Sequence, residues 1–187
     1  MVVNDMEIKR DLYLNKLISL KHNGLIKVIT GIRRCGKSYL LNDIFYNHLL
    51  ENDVDENHII RFAFDSGDDL DLIGESIIKI EKENRKVDPE KFMAFIRSKM
   101  TDNEMYYLLL DEIQNVEGFE KVLNSFLRKD NIDIYVTGSN SRLLSSDILT
   151  EFRGRGDEIH ILPLSFSEFY SARQGNENEA WTEYMIY

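Results

Sequence analysis

Cysteine is almost missing from this chain: Cys35 is the single one among 187 residues. No disulfide can form within the sequence, and a reducing compartment suits it. Basic residues are outnumbered, 23 Lys and Arg against 33 Asp and Glu, for a formal net charge of -10. That balance disfavours a surface that binds nucleic acid throughout, while leaving room for a local basic patch. No apolar run approaches the length of a membrane span. Residues 1–10 lack the basic start and apolar centre of a signal peptide. No membrane partner is expected, and the expected location is cytoplasmic. The four histidines, His22, His48, His58 and His160, show no metal-ligand spacing, and His48 reads as a core or boundary residue on an apolar helix face. There is no internal repeat and no low-complexity segment.

Hydrophobic residues make up 43% and charged residues 30% of the chain, the composition of an ordinary globular domain. Its length suits one domain with a full core. Amphipathic spacing predicts a helix over 7–21, with Tyr13, Leu14, Leu17, Ile18 and Leu20 as its stripe and Asn23-Gly24 as its stop. An adenine base could rest near Arg10 to Tyr13, although a plain packing helix explains the same residues. Strands are expected at 25–30, 58–64, 105–110, 132–137 and 158–162. Between them, helical patterns begin after Ser38, run mixed over 70–86, restart at Asp88-Pro89 with Asp88 as N-cap, follow Asp111-Glu112, and cover 141–149. Ser165 and Glu168 form a capping-box signature for a helix through Arg173. Gly175 to Glu179 reads as a loop and 180–187 as a last helix. Strands alternating with helices predict an α/β fold with a parallel sheet covered on both faces.

Gly31-Ile-Arg-Arg-Cys-Gly-Lys-Ser38 fits G-x-x-x-x-G-K-[ST], a phosphate-binding P-loop or Walker A motif, with a strand before it and a helix after it. Gly31 and Gly36 let the backbone curl so that several N–H groups face one point. With the positive end of the following helix they make a socket for a polyphosphate. Lys37 would reach the β- and γ-phosphates, and Ser38 would hold Mg²⁺ through its hydroxyl. Arg33 and Arg34 occupy variable positions of the motif and read as solvent-facing. Cys35, also at such a position, is open to modification by thiol reagents on this reading.

A buried strand running into Asp111-Glu112 matches the Walker B arrangement, in which Asp111 orients Mg²⁺ through its waters. Glu112 can then polarise the attacking water as a general base. The bland alternative is acidic residues at a helix start. Strand 58–64 is expected on the far side of the sheet, with 132–137 inserted between the Asp111 strand and the P-loop strand. Its end, Thr137-Gly-Ser-Asn140, would bring Asn140 or Ser139 near the γ-phosphate; the alternative is a turn chosen for backbone angles. Arg155 or Arg153 is a candidate for the arginine that a neighbouring subunit offers to the transition state.

Taken together, Ile26-Lys-Val-Ile-Thr-Gly-Ile-Arg-Arg-Cys-Gly-Lys-Ser38, Leu108-Leu-Leu-Asp-Glu-Ile-Gln114, Thr137-Gly-Ser-Asn-Ser141 and Pro163-Leu-Ser-Phe-Ser-Glu-Phe169 resemble the AAA+ group of P-loop ATPases. The closest likeness is to a prokaryotic family with an N-terminal ATPase half and an uncharacterised C-terminal domain. The Gly154-Arg155 pair also matches that pattern. The resemblance implies a P-loop NTPase three-layer sandwich with a five-stranded parallel sheet ordered 5-1-4-3-2. It further implies ATP and Mg²⁺ as cofactors, with nucleotide contacts over Gly31, Ile32, Arg33, Arg34, Cys35, Gly36, Lys37, Ser38 and Tyr39. Metal contacts would come from Ser38 and Asp111, and catalytic roles would fall to Lys37, Glu112, Asn140 and Arg155. Residues 1–187 would be the ATPase domain of a longer chain, its lid and C-terminal domain beyond the apolar, Trp-containing end, and a homo-oligomer is the expected assembly.

Three activities are compatible with these residues. The first is ATP hydrolysis coupled to conformational change. The second is a slow nucleotide-gated switch controlling an attached domain or partner. The third is a small-molecule or nucleotide kinase, which would need an acceptor pocket and usually lacks a Glu beside the Walker B Asp. The client of such movement, whether DNA, protein or a signalling partner, is not encoded in any motif.

Overall fold

A computed structural model describes residues 8–138, 152, 154–173 and 175–186. The expected helix at 141–149, together with Ser139, Asn140 and Arg153, lies outside the described residues. Five strands, β1 (Ile26–Thr30), β2 (Ile59–Ala63), β3 (Tyr106–Asp111), β4 (Ile132–Thr137) and β5 (Gly156–His160), form one sheet. Their order is β2-β3-β4-β1-β5 and every pairing is parallel. This is the expected order, read from the other edge. The three inner strands are buried along their whole length, which is why they read as near-continuous apolar runs.

Side chains alternate between two cores. On one face Val28, Phe62, Leu108, Leu110, Ile134 and Val136 meet α4 (Gly67–Leu72), α5 (Ile77–Glu83), α6 (Pro89–Lys99) and α7 (Phe119–Phe126). Phe92 packs edge-on against Phe62 and Phe64, which are tilted to each other, with ring centroids 4.8 to 5.3 Å apart. On the other face Ile29, Tyr107, Leu109, Tyr135 and Ile159 meet α1 (Asp11–Ser19) and the helix that follows the glycine-rich loop. Asp88 caps α6 by accepting from the Glu90 N–H at 2.9 Å, with Pro89 in the first turn.

The mixed stretch 70–86 resolves into two short helices. Between and behind them the buried Glu75 accepts from Arg85 at 2.6 Å and pairs with Lys91 at 2.7 Å. Burial pulls the Glu75 carboxyl upward, but these two cations outweigh it and hold the group below its ordinary value. The first helix begins at Asp11, later than the periodicity suggests, and the last is α9 (Glu177–Tyr184), capped by Asn176. The region 175–179 is therefore only partly loop: the asparagine oxygen accepting the Asn178 N–H starts the helix early. The fifth strand starts and ends two residues ahead of its expected span. Leu162 leaves the sheet because its N–H goes to the Tyr13 hydroxyl and its carbonyl to Arg10.

The helix over 37–51 is not a uniform α-helix. It runs as α2 (Lys37–Tyr39), a π-helical segment Leu40–Phe45, and α3 (Tyr46–Glu51). Leu41, Phe45 and Leu49 are all buried, a spacing of four that the wider π turn keeps on one face. His48 is half-buried beside this row, and burial lowers its basicity, in line with a boundary role.

Apolar patterning does not anticipate Lys27 and Asp133. Both are buried, at 0% and 3% exposure, and their side chains form an ion pair between β1 and β4. Lys27 Nζ also donates to the Leu25 carbonyl at 3.0 Å. Asp133 accepts from the Tyr135 hydroxyl at 2.8 Å and from the His22 N–H at 3.0 Å. Each charge is thus paired and hydrogen-bonded, the condition for tolerating burial.

Two predictions follow from this packing. Asp133→Ala strands the Lys27 ammonium and should lower stability by about 3–5 kcal/mol, with much of the loss recovered in Lys27→Met/Asp133→Leu; urea unfolding midpoints check both. Gly31→Ala would place a Cβ 2.5 Å from the Ile161 carbonyl oxygen and 2.7 Å from Cys35 Sγ, at φ +147°. Overpacking of that order should cost about 1–3 kcal/mol, read as a lower thermal midpoint.

Candidate active site

All five strands run the same way, so their carboxyl ends share one edge, where open α/β sheets bind ligands. The register sets Ile29 level with Thr137, and Leu110 with Val136. The ends of β1, β4 and β3 therefore come out side by side.

From β1 the chain enters the loop at Gly31. Arg34 and Gly36 both have positive φ, 66° and 93°, so the backbone reverses curvature and its amides can converge. Lys37 is buried, and its ammonium donates to the carbonyls of Gly31 and Ile32, both at 3.1 Å. Ile32, Arg33, Arg34, Ser38 and Tyr39 are exposed at the rim. Cys35 is not. It is 4% exposed and packed among Ile29, Leu40 and Ile161. The thiol-reagent expectation is corrected accordingly, because the loop's curl turns that side chain into the core.

Opposite the loop, Asp111 closes β3 at 5% exposure. Its two oxygens are both engaged. One accepts from the Thr137 hydroxyl of β4, and the other accepts from Asn42 Nδ2, 3.3 Å away on the π-helical segment. Thr137 Oγ1 also accepts the Glu112 N–H at 3.1 Å. Glu112 itself sits at φ 53°, ψ 47°, a left-handed conformation that costs a non-glycine residue roughly 1–2 kcal/mol. Gln114 donates to the Glu112 carboxylate. Gln114 Oε1 is buried with no partner among the described residues.

Lys37, Ser38 and Tyr39 face Asp65, Glu112 and Gln114 across one open cleft of about 740 Å³. The Asp65 carboxyl is pushed up by partial burial and by the negative charges of Asp111 and Glu112. Excess negative charge on one wall and an ammonium on the other is an arrangement suited to a polyphosphate with a divalent cation.

Arg155 lies elsewhere. Its carbonyl accepts the Ile26 N–H at 2.9 Å, at the start of β1, and its guanidinium reaches Asn124 on α7 at 3.3 Å. The length of β1, roughly 16 Å at strand rise, separates it from the loop of its own chain.

No motif assigned a role to Asn42, Asp65 or Gln114, and Arg10 entered only as one end of a possible adenine-binding stretch. Asn42 stands four residues after Ser38, a helical spacing that could have marked it. Asp65 directly follows the expected strand 58–64. Arg10 is 3% exposed and bonded to the loop, with no periodic signal to single it out.

The profile of the AAA domain family matches residues 23–170. An uncharacterized protein of Haemophilus influenzae is 39% identical over 167 residues, covering 89% of this chain and 38% of that protein. An uncharacterized protein of Methanocaldococcus jannaschii is 31% identical over 187 residues, covering 97% of this chain and 36% of its own length. The chain thus spans under two-fifths of the curated relatives it matches. Among solved structures, C. elegans PCH-2 superposes with a TM-score of 0.57 at 19% identity, over 89% of this chain and 47% of that one. S. cerevisiae Hsp104, in its casein complex, gives 0.57 at 16% identity, over 96% and 30%. These two likenesses speak to the fold, a P-loop NTPase-like α/β sandwich. The chain belongs to the AAA domain family, whose general activity is nucleotide binding and hydrolysis.

Proposed function

We propose that residues 1–187 are the ATPase domain of a longer protein, that they bind ATP with Mg²⁺ at residues 31–39, and that they hydrolyse it to drive conformational change. The observation that carries this reading is the Asn42–Asp111 hydrogen bond. It joins the helix of the phosphate loop to the carboxylate wall, so the two halves act as one site.

The residues suit the ligands. A Cβ at Gly31 would collide with backbone, so the loop is wound as tightly as a phosphate cradle requires. The oxygen donors Ser38 and Asp111 are the hard ligands that Mg²⁺ takes, with waters completing its shell. When bound, Mg²⁺ offsets charge on the β- and γ-phosphate oxygens. The amides of Gly31, Ile32, Arg33, Arg34, Cys35, Gly36, Lys37, Ser38 and Tyr39 line the polyphosphate. Lys37 exchanges the Gly31 and Ile32 carbonyls for phosphate oxygens, and Glu112 accepts a proton from the water that attacks the γ-phosphorus. Asn140, with Ser139 as its alternative, steadies that water. The adenine rests near Arg10 to Tyr13, where Leu12, Tyr13, Leu162 and Glu168 line a cavity of about 770 Å³.

Arg155, or Arg153 beside it, serves the site of a neighbouring copy in a homo-oligomer, since Arg155 is a strand length from its own loop. The same observation favours the second reading, a slow switch: an isolated copy lacks the arginine and would turn over slowly.

In the full-length protein, Glu112→Gln should lower phosphate release by about 10²–10⁴-fold while leaving the ATP dissociation constant nearly unchanged, and Lys37→Ala should weaken binding itself. ATP binding without turnover in the wild type would leave only the switch. Transfer of phosphate to an added acceptor would indicate a kinase, and absence of ATP binding would overturn both readings.

A further inference from the structure

Arg10 lies outside every motif, yet its guanidinium is committed in three directions. Nη1 donates to the Cys35 carbonyl at 2.8 Å, Nη2 to the Leu162 carbonyl at 2.8 Å, and Nε to Glu168 Oε1 at 3.1 Å. Its Cζ stands 4.6 Å from the Tyr13 ring centroid, and the Tyr13 hydroxyl accepts the Leu162 N–H at 3.1 Å. Arg10 is 3% exposed. A guanidinium buried this far with all three nitrogens bonded is a rigid part, not a solvated charge.

Two consequences follow from elementary geometry. Across a trans peptide the C=O and the next N–H point in opposite directions, and there is no cis bond among the described residues. Holding the Cys35 carbonyl outward therefore turns the Gly36 N–H inward. Gly36, at φ 93°, lines the cleft described above. Secondly, Glu168 belongs to helix α8 (Phe166–Arg173) and closes its capping box: Glu168 Oε2 accepts from Ser165 N and Oγ, both at 2.8 Å, and Ser165 Oγ accepts the Glu168 N–H at 3.3 Å. Burial raises the Glu168 carboxyl, but the Ser165 donors and Arg10 outweigh it and keep the group below its ordinary range.

We infer that Arg10 is a positioning residue: it sets the Cys35–Gly36 peptide so that Gly36 N–H faces the phosphate socket, and through Glu168 it makes the loop's shape and the seating of α8 interdependent. This rests on the nucleotide site proposed above. By linkage the coupling is reciprocal: ordering of the loop favours the seated α8 by the same free energy by which seating α8 favours the ordered loop. Lysine cannot substitute, because one ammonium does not span two carbonyls and a carboxylate in a plane.

The test uses the full-length protein with Mg²⁺ and a fluorescent ATP analogue, comparing wild type, Arg10→Lys, Arg10→Ala and Glu168→Gln. Binding by the wild type checks the underlying site, and its failure would remove that reading regardless of Arg10. Given wild-type binding, both Arg10 variants should raise the dissociation constant by about 10- to 100-fold, the worth of one hydrogen bond to a charged group. Melting temperatures without nucleotide, and Arg10→Lys as the milder change, separate this from misfolding. Hydrogen exchange gives the readout that a merely structural residue would not move. At saturating nucleotide, backbone protection over 166–173 should rise in the wild type and stay flat in Glu168→Gln and Arg10→Lys. Wild-type affinity in Arg10→Lys, or undiminished protection of 166–173 in Glu168→Gln, would overturn the inference.

Discussion

The hydroxyl of Thr137 stands where three strands end, and the site depends on it. It donates to Asp111 and accepts from the Glu112 N–H, so a residue of β4 fixes both the carboxylate that closes β3 and the backbone of the next residue. Such a contact needs β4 beside β3, as the sheet order provides. A sheet that placed β3 directly beside β1 would set the acidic pair against the loop with no spacer. With β4 interposed, the strand ends that carry the loop and the acidic pair stand one strand apart.

Asn42 completes the frame from the other side. A helix leaving a phosphate loop points away from the sheet edge, and a regular α-helical turn would carry residue 42 on with it. The π-helical segment widens that turn, a device found often at functional sites. The strained backbone of Glu112 belongs to the same set of features. Conformational cost collects where side chains must be aimed, and here the aim is toward a cleft that Lys37 shares.

Much of this was readable from the chain. The loop and the Asp111-Glu112 pair are local patterns; 132–137 was expected between their strands, and the full sheet order came from the family resemblance. The capping box at Ser165 and the N-cap at Asp88 are local as well, and both form as expected. What escaped reading is non-local. Lys27 and Asp133 meet across 106 residues of sequence and Arg10 and Glu168 across 158; each looks like an ordinary surface charge until the fold pairs it. The burial of Cys35 was hidden by the direction in which the loop curls. The end of β5 was misjudged because Leu162 is apolar yet has both backbone groups claimed by α1 and the residue before it.

The chain thus uses two kinds of polar burial. Lys27 and Asp133 join β1 to β4 within the core, while Arg10, Thr137 and Asn42 hold the cleft's own parts in place. The central claim concerns the second group: the loop at 31–38 and the carboxylates at 111–112 form a single magnesium-dependent site. Its most direct test is phosphate release from ATP by the full-length protein as Mg²⁺ is titrated. The account predicts turnover that rises to saturation with the cation and disappears on chelation. Turnover indifferent to Mg²⁺ would contradict it.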